Sequence, residues 1–178
     1  MIKRSIHSER MLIRDLEEGD FSFIKQFYED YHFYKYAIGL FKEMTKDHFN
    51  ALLEELKRQD DYFYCVSKLM DTDVYVGAIK GSLHFGHERI LWIHLLMIDK
   101  KYLRKGYGRE LFETIVKYFK EILNIKWIYI SVAQKNVSGH SFWIKQGFSD
   151  FKTIHPAQNE SNNAFGDVMI YRKNAQEI

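Results

Sequence analysis

The chain has 178 residues, with 26 Lys and Arg against 24 Asp and Glu, a formal net charge of +2. Apolar residues make up 46% and charged residues 28%, ordinary globular proportions, and the length suits one domain over residues 1–178 that buries roughly 70% of its unfolded surface. The weak charge balance argues against a nucleic-acid partner, the lone Cys65 excludes an internal disulfide or a Cys-rich zinc site, and an apolar stretch that reaches only from Ile90 to Ile98, broken by His94, is too short to span a bilayer. With no signal-peptide core in Met1–His7, the expectation is a reduced, cytoplasmic protein without a membrane partner, as a monomer or homodimer.

In chain order, Met11–Arg14 reads as a short strand. Asp20 is a good N-cap, and Phe23, Ile24, Phe27, Tyr28 and Tyr31 follow at helical spacing. A second helix is predicted over Thr45–Arg58, with Phe49, Leu52, Leu53 and Leu56 as its apolar stripe. Tyr62–Lys68, Val74–Phe85 and Ile90–Asp99 are rich in aromatic and β-branched residues. They are separated by the turn signals Asp71-Thr72-Asp73 and Gly86-His87-Glu88, so they predict an antiparallel meander. Helical spacing returns over Gly106–Leu123. Trp127–Val132 is an apolar strand, Ser138–Gln146 a short helix ended by Gly147, and Phe148–Ile154 and Val168–Tyr171 are the last strands, separated by a polar loop over Pro156–Phe165. The order is that of a mixed α/β domain, and the unit from Ile90 to Val132 should be a parallel, right-handed crossover.

The segment Leu103-Arg104-Lys105-Gly106-Tyr107-Gly108-Arg109 lies between a hydrophobic strand and an amphipathic helix. Its glycines allow positive φ and close approach of the backbone to a ligand. The helix start leaves N–H groups unpaired and carries a partial positive charge, a cradle for pyrophosphate. Leu111 stands where the dinucleotide fingerprint needs a small residue, and the P-loop's Gly-Lys-Ser/Thr is missing. His84, His87 and His140 show no spacing that demands a metal. His94 interrupts an otherwise apolar strand, and an imidazole there has an ordinary pKa of about 6.5, suited to proton transfer at neutral pH.

These residues resemble the GNAT superfamily of N-acetyltransferases, in particular its branch acting on ribosomal proteins and small molecules. The family's Gln/Arg-x-x-Gly-x-Gly/Ala block is met by Gly106 and Gly108, after Leu96-Met97-Ile98-Asp99, which looks like the family's Leu-x-Val-Asp lead-in. A second family block is matched by Asn136, Gly139, Phe142, Trp143, Lys145, Gly147 and Phe148, and Ser8-Glu9-Arg10-Met11-Leu12-Ile13-Arg14 resembles the opening Thr-Glu-Arg-Leu-x-Leu-Arg. Two positions depart from the pattern. Leu103 stands at the Gln/Arg position, and Trp143 stands where the family often has the Tyr that protonates the departing thiolate. An indole donates a hydrogen bond but is no proton source.

The resemblance implies a mostly antiparallel sheet of six to seven strands with a central, splayed parallel pair, flanked by about four helices. It implies acetyl-CoA as cofactor and acetyl transfer to a primary amine on a small molecule or peptide. The main chain of Leu96, Met97 and Ile98 would hold the pantetheine arm, and Leu103, Arg104, Lys105, Gly106, Tyr107, Gly108 and Arg109 would hold the pyrophosphate. Asn136 would bond the pantetheine or adenosine side, and Trp143 would lie by the thioester. His94 is the preferred base and Asp99 the second candidate. Ser138 and Tyr107 are candidate acids, although a thiolate leaves tolerably without one. Glu29, Tyr31 and Tyr34, in an unusually aromatic run, would face the amine. The alternative on the same fold is a non-catalytic acyl-CoA-binding module.

Overall fold

The computed structural model describes residues 5–155 and 165–178, so the loop expected over Pro156–Phe165 falls, except for Phe165, outside the described residues. The strands are β1 (Ile6–His7), β2 (Met11–Asp15), β3 (Tyr62–Leu69), β4 (Tyr75–Phe85), β5 (Arg89–Ile98), β6 (Trp127–Ala133), β7 (Ser149–Ile154) and β8 (Val168–Asn174). The helices are α1 (Phe21–Glu29), α2 (Tyr31–Ile38), α3 (Lys46–Arg58), α4 (Tyr107–Leu123) and α5 (Val137–Lys145). The strands form one sheet in the order β1-β2-β3-β4-β5-β6-β8-β7. Its pairs are antiparallel except β5 with β6, the predicted crossover. Two elements exceed the expected count. β1 is a two-residue strand on β2, and the first helical region breaks at Asp30 (φ −95°, ψ 43°), so α2 starts a new direction.

Two apolar layers sandwich the sheet. On one face α4 presents Leu111, Phe112, Ile115, Val116 and Phe119, the stripe expected from its 3.6-residue period. On the other, Phe23, Ile24 and Phe27 of α1, Tyr34 of α2 and Phe49 and Leu53 of α3 pack together. Thr45 caps α3 by accepting a hydrogen bond from the His48 amide at 3.2 Å. Asp20 does not cap α1 as predicted: no side-chain cap bond is made there. Its fully buried carboxylate instead accepts from Arg14 Nη1 at 2.7 Å and Nη2 at 2.8 Å, from the Glu17 amide and from the Tyr75 hydroxyl. Burial alone would raise the Asp20 pKa, but the hydrogen bonds from Arg14 and Tyr75 outweigh it and hold the carboxyl below its ordinary value. Cys65 is fully buried, as its apolar strand suggested.

The feature that shapes the centre of the sheet is a bulge in β5. Lys80 pairs with Leu95 and Gly81 with Ile93, so His94 is the extra residue. Side chains alternate along a strand, and one inserted residue reverses the alternation beyond it. Accordingly Leu91 and Ile93 face α4 before the bulge, and Leu96 and Ile98 face it after. Leu95 and Met97 turn to the α1–α3 layer. Parallel pairing with β6 covers Ile90–Ile93 against Trp127–Ile130 and goes no further. From Leu95 onward the two strands diverge and a cleft opens between them.

Gly81 makes room for this distortion. A Cβ there would lie 2.4 Å from the Trp92 carbonyl oxygen and 2.5 Å from the Phe63 ring, neither of which can move without disturbing the strand pair or the core. We expect Gly81→Ala to destabilise the protein by about 1–3 kcal/mol, the ordinary cost of overpacking a core. Urea unfolding monitored by circular dichroism checks this; an unchanged midpoint would show that β5 accommodates the methyl group.

Candidate active site

The divergence of β5 and β6 produces a cleft of about 980 Å³ that passes through the sheet from one helical layer to the other. On the α4 side it is lined by Ile98, Gly106, Gly108, Phe142 and Trp143, and on the α2 side by Phe33, Tyr34, Tyr36, Leu95 and Met97, with His94 between.

The α4 side is built from main chain. Arg104 and Gly106 take positive φ (+59° and +87°), and Gly106 is the position before the helix. Glycine tolerates that conformation and frees the chain to turn tightly into the helix. The Glu110 amide is bonded to the Gly106 carbonyl at 3.0 Å. The amides of Tyr107, Gly108 and Arg109 precede that bond and point out of the helix start, where the helix dipole favours an anion. A Cβ on Gly108 would lie 3.4 Å from Ile98 and 3.6 Å from Phe142, so its absence widens the cleft at the turn. Arg104, Arg109 and Lys145 bring positive charge to the same wall. Next to it the edge of β5 from Leu95 to Ile98, left by β6, offers main-chain groups to an extended ligand. An exposed pyrophosphate and a peptide-like arm, the two parts of coenzyme A outside its nucleoside, fit these two features in their observed order.

A clamp that sequence reasoning missed holds the turn. Glu110 accepts from the Ser8 hydroxyl at 2.7 Å, the Arg10 amide at 2.8 Å and Arg10 Nε at 2.7 Å. Arg10 also donates to the Lys105 carbonyl at 3.1 Å and lies 4.1 Å over the Tyr107 ring. Burial alone would raise the Glu110 pKa, but the bonds from Ser8 and Arg10 keep it low. The strand opening at Ser8-Glu9-Arg10 thus braces the first turn of α4 from a hundred residues away in the chain. The positions of Ser8 and Arg10 in that opening were visible, but nothing in the spacing tied them to Glu110.

The remaining predicted residues divide clearly. Leu96, Met97, Ile98, Leu103, Asn136, Ser138 and Trp143 all line the cleft with the turn. Asn136, rather than Ser138, caps α5, accepting from the Gly139 amide at 2.9 Å, while the Ser138 hydroxyl donates to Asn136 Oδ1 at 3.1 Å. Trp143 is 8% exposed and stands edge-on to Phe112 and Phe148, so most of its ring belongs to the core. Lys105 and Tyr107 are not in the cleft wall. Lys105 reaches back to the Lys101 carbonyl, and Tyr107 packs on Tyr102 beneath Arg10. Asp99 is also outside it, its carboxylate accepting from the Lys101 amide at 2.9 Å to cap the turn over Lys100–Tyr102. Glu29 is paired with Lys25, and the Tyr31 hydroxyl donates to the Gly39 carbonyl, both away from the cleft. Tyr34 does line it, with its hydroxyl donating to the Ile98 carbonyl at 3.0 Å. Phe33 and Tyr36, from the same aromatic run, also line it, as do Ser131 and Ser141, which carried no distinguishing sequence signal.

His94 stands at the junction of the two halves. Its ring is stacked between Tyr62 and Trp92, with centroids 6.1 Å and 6.3 Å away, and its Nε2 is 2.7 Å from Ser82 Oγ. Desolvation, with the charges of Lys80 and His84, lowers its pKa from the ordinary value, although the residue is exposed to the cleft. The shift favours the neutral ring, the form that can accept a proton.

A long cleft through a splayed sheet, with unpaired helix-start amides on one side and an imidazole at its centre, suits an extended, phosphate-bearing ligand lying against a second one. The chain belongs to the GNAT acetyltransferases: the Acetyltransferase (GNAT) domain matches residues 13–169. Its fold is similar to that of spermidine N-acetyltransferase from Vibrio cholerae in complex with CoA and spermine (TM-score 0.79, 19% identity, 93% of this chain and 96% of that one). It is equally similar to the acetyl transferase from Salmonella typhimurium that modifies the N-terminal serine of ribosomal protein L7/L12 (TM-score 0.79, 12% identity, 96% and 99%). A probable spermine N(1)-acetyltransferase of Bacillus subtilis subsp. natto is 28% identical over 58 residues, 33% of this chain, and the matched stretch spans 38% of that relative's length.

The charge argument can be checked directly. The His94 pKa, followed by NMR titration, should lie below about 6.5, and Lys80→Gln, which removes a neighbouring cation, should raise it. A value above 6.5 in the parent protein would contradict the placement of the ring.

Proposed function

We propose that the protein transfers the acetyl group of acetyl-CoA directly to a primary amine, both ligands being held in the cleft at once. The observation that carries this reading is the bulge, which brings the His94 imidazole to the point where the α4-facing wall of the cleft meets the opposite, α2-facing wall. When bound, acetyl-CoA supplies an activated acyl thioester. The chain's own task is then to align the acceptor and remove its proton, because an ammonium ion is not a nucleophile. His94 takes that proton. Leu96, Met97 and Ile98 hold the extended arm through their main chain, and the amides of Tyr107, Gly108 and Arg109 bind the pyrophosphate, with Arg104 and Arg109 adding charge. Asn136, through its cap, fixes the start of α5 beside the arm. Trp143 excludes water from the thioester end. No side-chain acid is assigned, and the thiolate leaves as such. Cys65, fully buried in β3, is remote from the cleft wall and takes no part.

The wall facing α2 also restricts the acceptor. Phe33, Tyr34, Tyr36, Ala37, Leu95 and Met97 line it, and among the described residues no Asp or Glu lines any part of the cleft. A polyamine would bring two or more cations into a cleft whose described lining holds no carboxylate to pair them, a costly burial of charge. An amine with one charge next to an apolar or aromatic group, as at a peptide N-terminus, meets aromatic faces instead. The reading therefore favours a monoamine or peptide acceptor over spermidine.

Two measurements test this. His94→Gln should lower kcat by about a hundredfold or more at pH 7, with the deficit shrinking as pH rises toward the acceptor's own pKa. Because the His94 pKa is depressed, the acidic limb of kcat/KM in the parent enzyme should fall below about pH 6.5. An unchanged kcat in the variant would remove His94 from the chemistry, and CoA binding without turnover on any amine would support the binding-module alternative. On a panel of acceptors, a peptide N-terminus or an arylalkyl monoamine should exceed spermidine in kcat/KM; the reverse order would overturn the acceptor assignment.

A further inference from the structure

The reading above leaves Ser82 and His84 without a role, yet they are wired to His94. Ser82 is fully buried on β4. Its Oγ lies 2.7 Å from His94 Nε2 and 2.9 Å from His84 Nε2. A hydroxyl has one hydrogen to donate and lone pairs to accept with, and a buried one leaves neither unpaired without cost. If both rings presented N–H at Nε2, the Ser82 hydrogen would have no acceptor among the three groups. If both presented a bare nitrogen, one of them would have no donor. One ring therefore donates to Ser82 and the other accepts from it. Ser82 and His84 share a face of β4 by strand alternation, and the bulge brings His94 within reach of Ser82, whose register partner is Trp92. Both histidines are exposed, His94 where it lines the cleft and His84 outside the cleft lining, near the end of the hairpin and edge-on to Trp92.

We propose that Ser82 and His84 act with His94 as a proton relay that carries the acceptor's proton out of the cleft to the surface of the sheet. The inference rests on His94 being the base. At rest His94 Nε2–H donates to Ser82, and Ser82 O–H donates to His84 Nε2, so His94 Nδ1 is the free basic atom. As Nδ1 takes a proton from the acceptor ammonium, His94 passes its Nε2 proton to Ser82 and Ser82 passes its own to His84. Three bonds to hydrogen break (amine N–H, His94 Nε2–H, Ser82 O–H), and three form (His94 Nδ1–H, Ser82 O–H, His84 Nε2–H). His94 ends neutral, and His84 becomes an imidazolium that gives its proton to water. Exchange with water at the His94 ring restores the starting tautomer.

The surroundings favour this direction. Among the described residues, the titratable groups facing His94 are Lys80 and His84 from β4 and Tyr62 from β3, with Tyr36 of α2 lining the same cleft. Among these there is no carboxylate to stabilise a cation on His94, and Lys80 opposes one. His84 can release the charge to solvent.

The tautomers are readable without turnover. In 15N-histidine-labelled protein above pH 8, long-range 1H–15N spectra should show His94 protonated at Nε2 and His84 protonated at Nδ1; His94 protonated at Nδ1 would overturn the relay. Ser82→Ala and His84→Gln should each lower kcat about tenfold or more, as loss of an orienting partner does, with both KM values unchanged. Ser82→Thr, which keeps the hydroxyl, should recover most of the rate. The proton inventory in mixed H2O and D2O should turn from curved to linear in Ser82→Ala. If His94→Gln is impaired but Ser82→Ala and His84→Gln are not, the base assignment survives and the relay falls. If His94→Gln is fully active, both fall.

Discussion

The one-residue bulge at His94 is the constraint on which the rest of this structure depends. A regular β5 would continue its parallel pairing with β6, leave no gap, and point its later side chains to the wrong layers. The inserted residue ends the pairing after Ile93 and reverses the facing of Leu95–Ile98, so that both helical layers receive apolar side chains from one strand. The gap is then a by-product of a well-packed core rather than a hole in it. The distortion survives because Gly81 supplies the space for it and because the flanking apolar residues are buried on both sides.

The two halves of the cleft solve different physical problems. On the proposed reading, the α4 half holds phosphates and an extended arm with main-chain groups whose positions are set by backbone conformation. That explains how Leu103 can stand where the family has Gln or Arg: the amides and the helix dipole remain. Ser8, Arg10 and Glu110 stiffen the turn, and they do so partly buried, where charge-assisted hydrogen bonds are stronger than at an open surface. On the same reading the other half moves a proton, which requires a side chain of suitable pKa whose tautomer is controlled. Lys80 and the buried Ser82 are the groups placed around His94 that would supply those two conditions.

Much of the architecture was legible because it rests on local patterns. The apolar stripe of α4, the three-strand meander and the Gly-x-Gly turn each follow from periodicity or turn chemistry, and their boundaries agree with the structure within a residue or two. The break at Asp30 was not legible, because Phe23 to Tyr31 keeps helical spacing through it. Asp20 has the composition of a cap, but its partners Arg14 and Tyr75 are on strands, and only the tertiary fold draws its carboxylate inward. In the site, the tight turn into α4 could be read from its glycines. Contacts between distant segments could not: Glu110 with Ser8 and Arg10, and Ser82 with His94, depend on sheet order and on a bulge; the break at His94 in the apolar run was visible, but its effect on the pairing was not. The aromatic run Phe27–Tyr36 promised an acceptor surface, but Tyr31 turns to Gly39, and of the three acceptor residues expected there only Tyr34 reaches the cleft.

The central claim is that the two ligands meet at the bulge, and a crystal structure with a stable CoA–amine bisubstrate adduct tests it most directly. The account predicts the arm of the adduct along Leu96–Ile98, its pyrophosphate on the amides of Tyr107–Arg109, and the acceptor nitrogen within hydrogen-bond reach of His94 Nδ1. An adduct that avoids the turn, or one that follows it but places the acceptor nitrogen away from His94, would contradict the account.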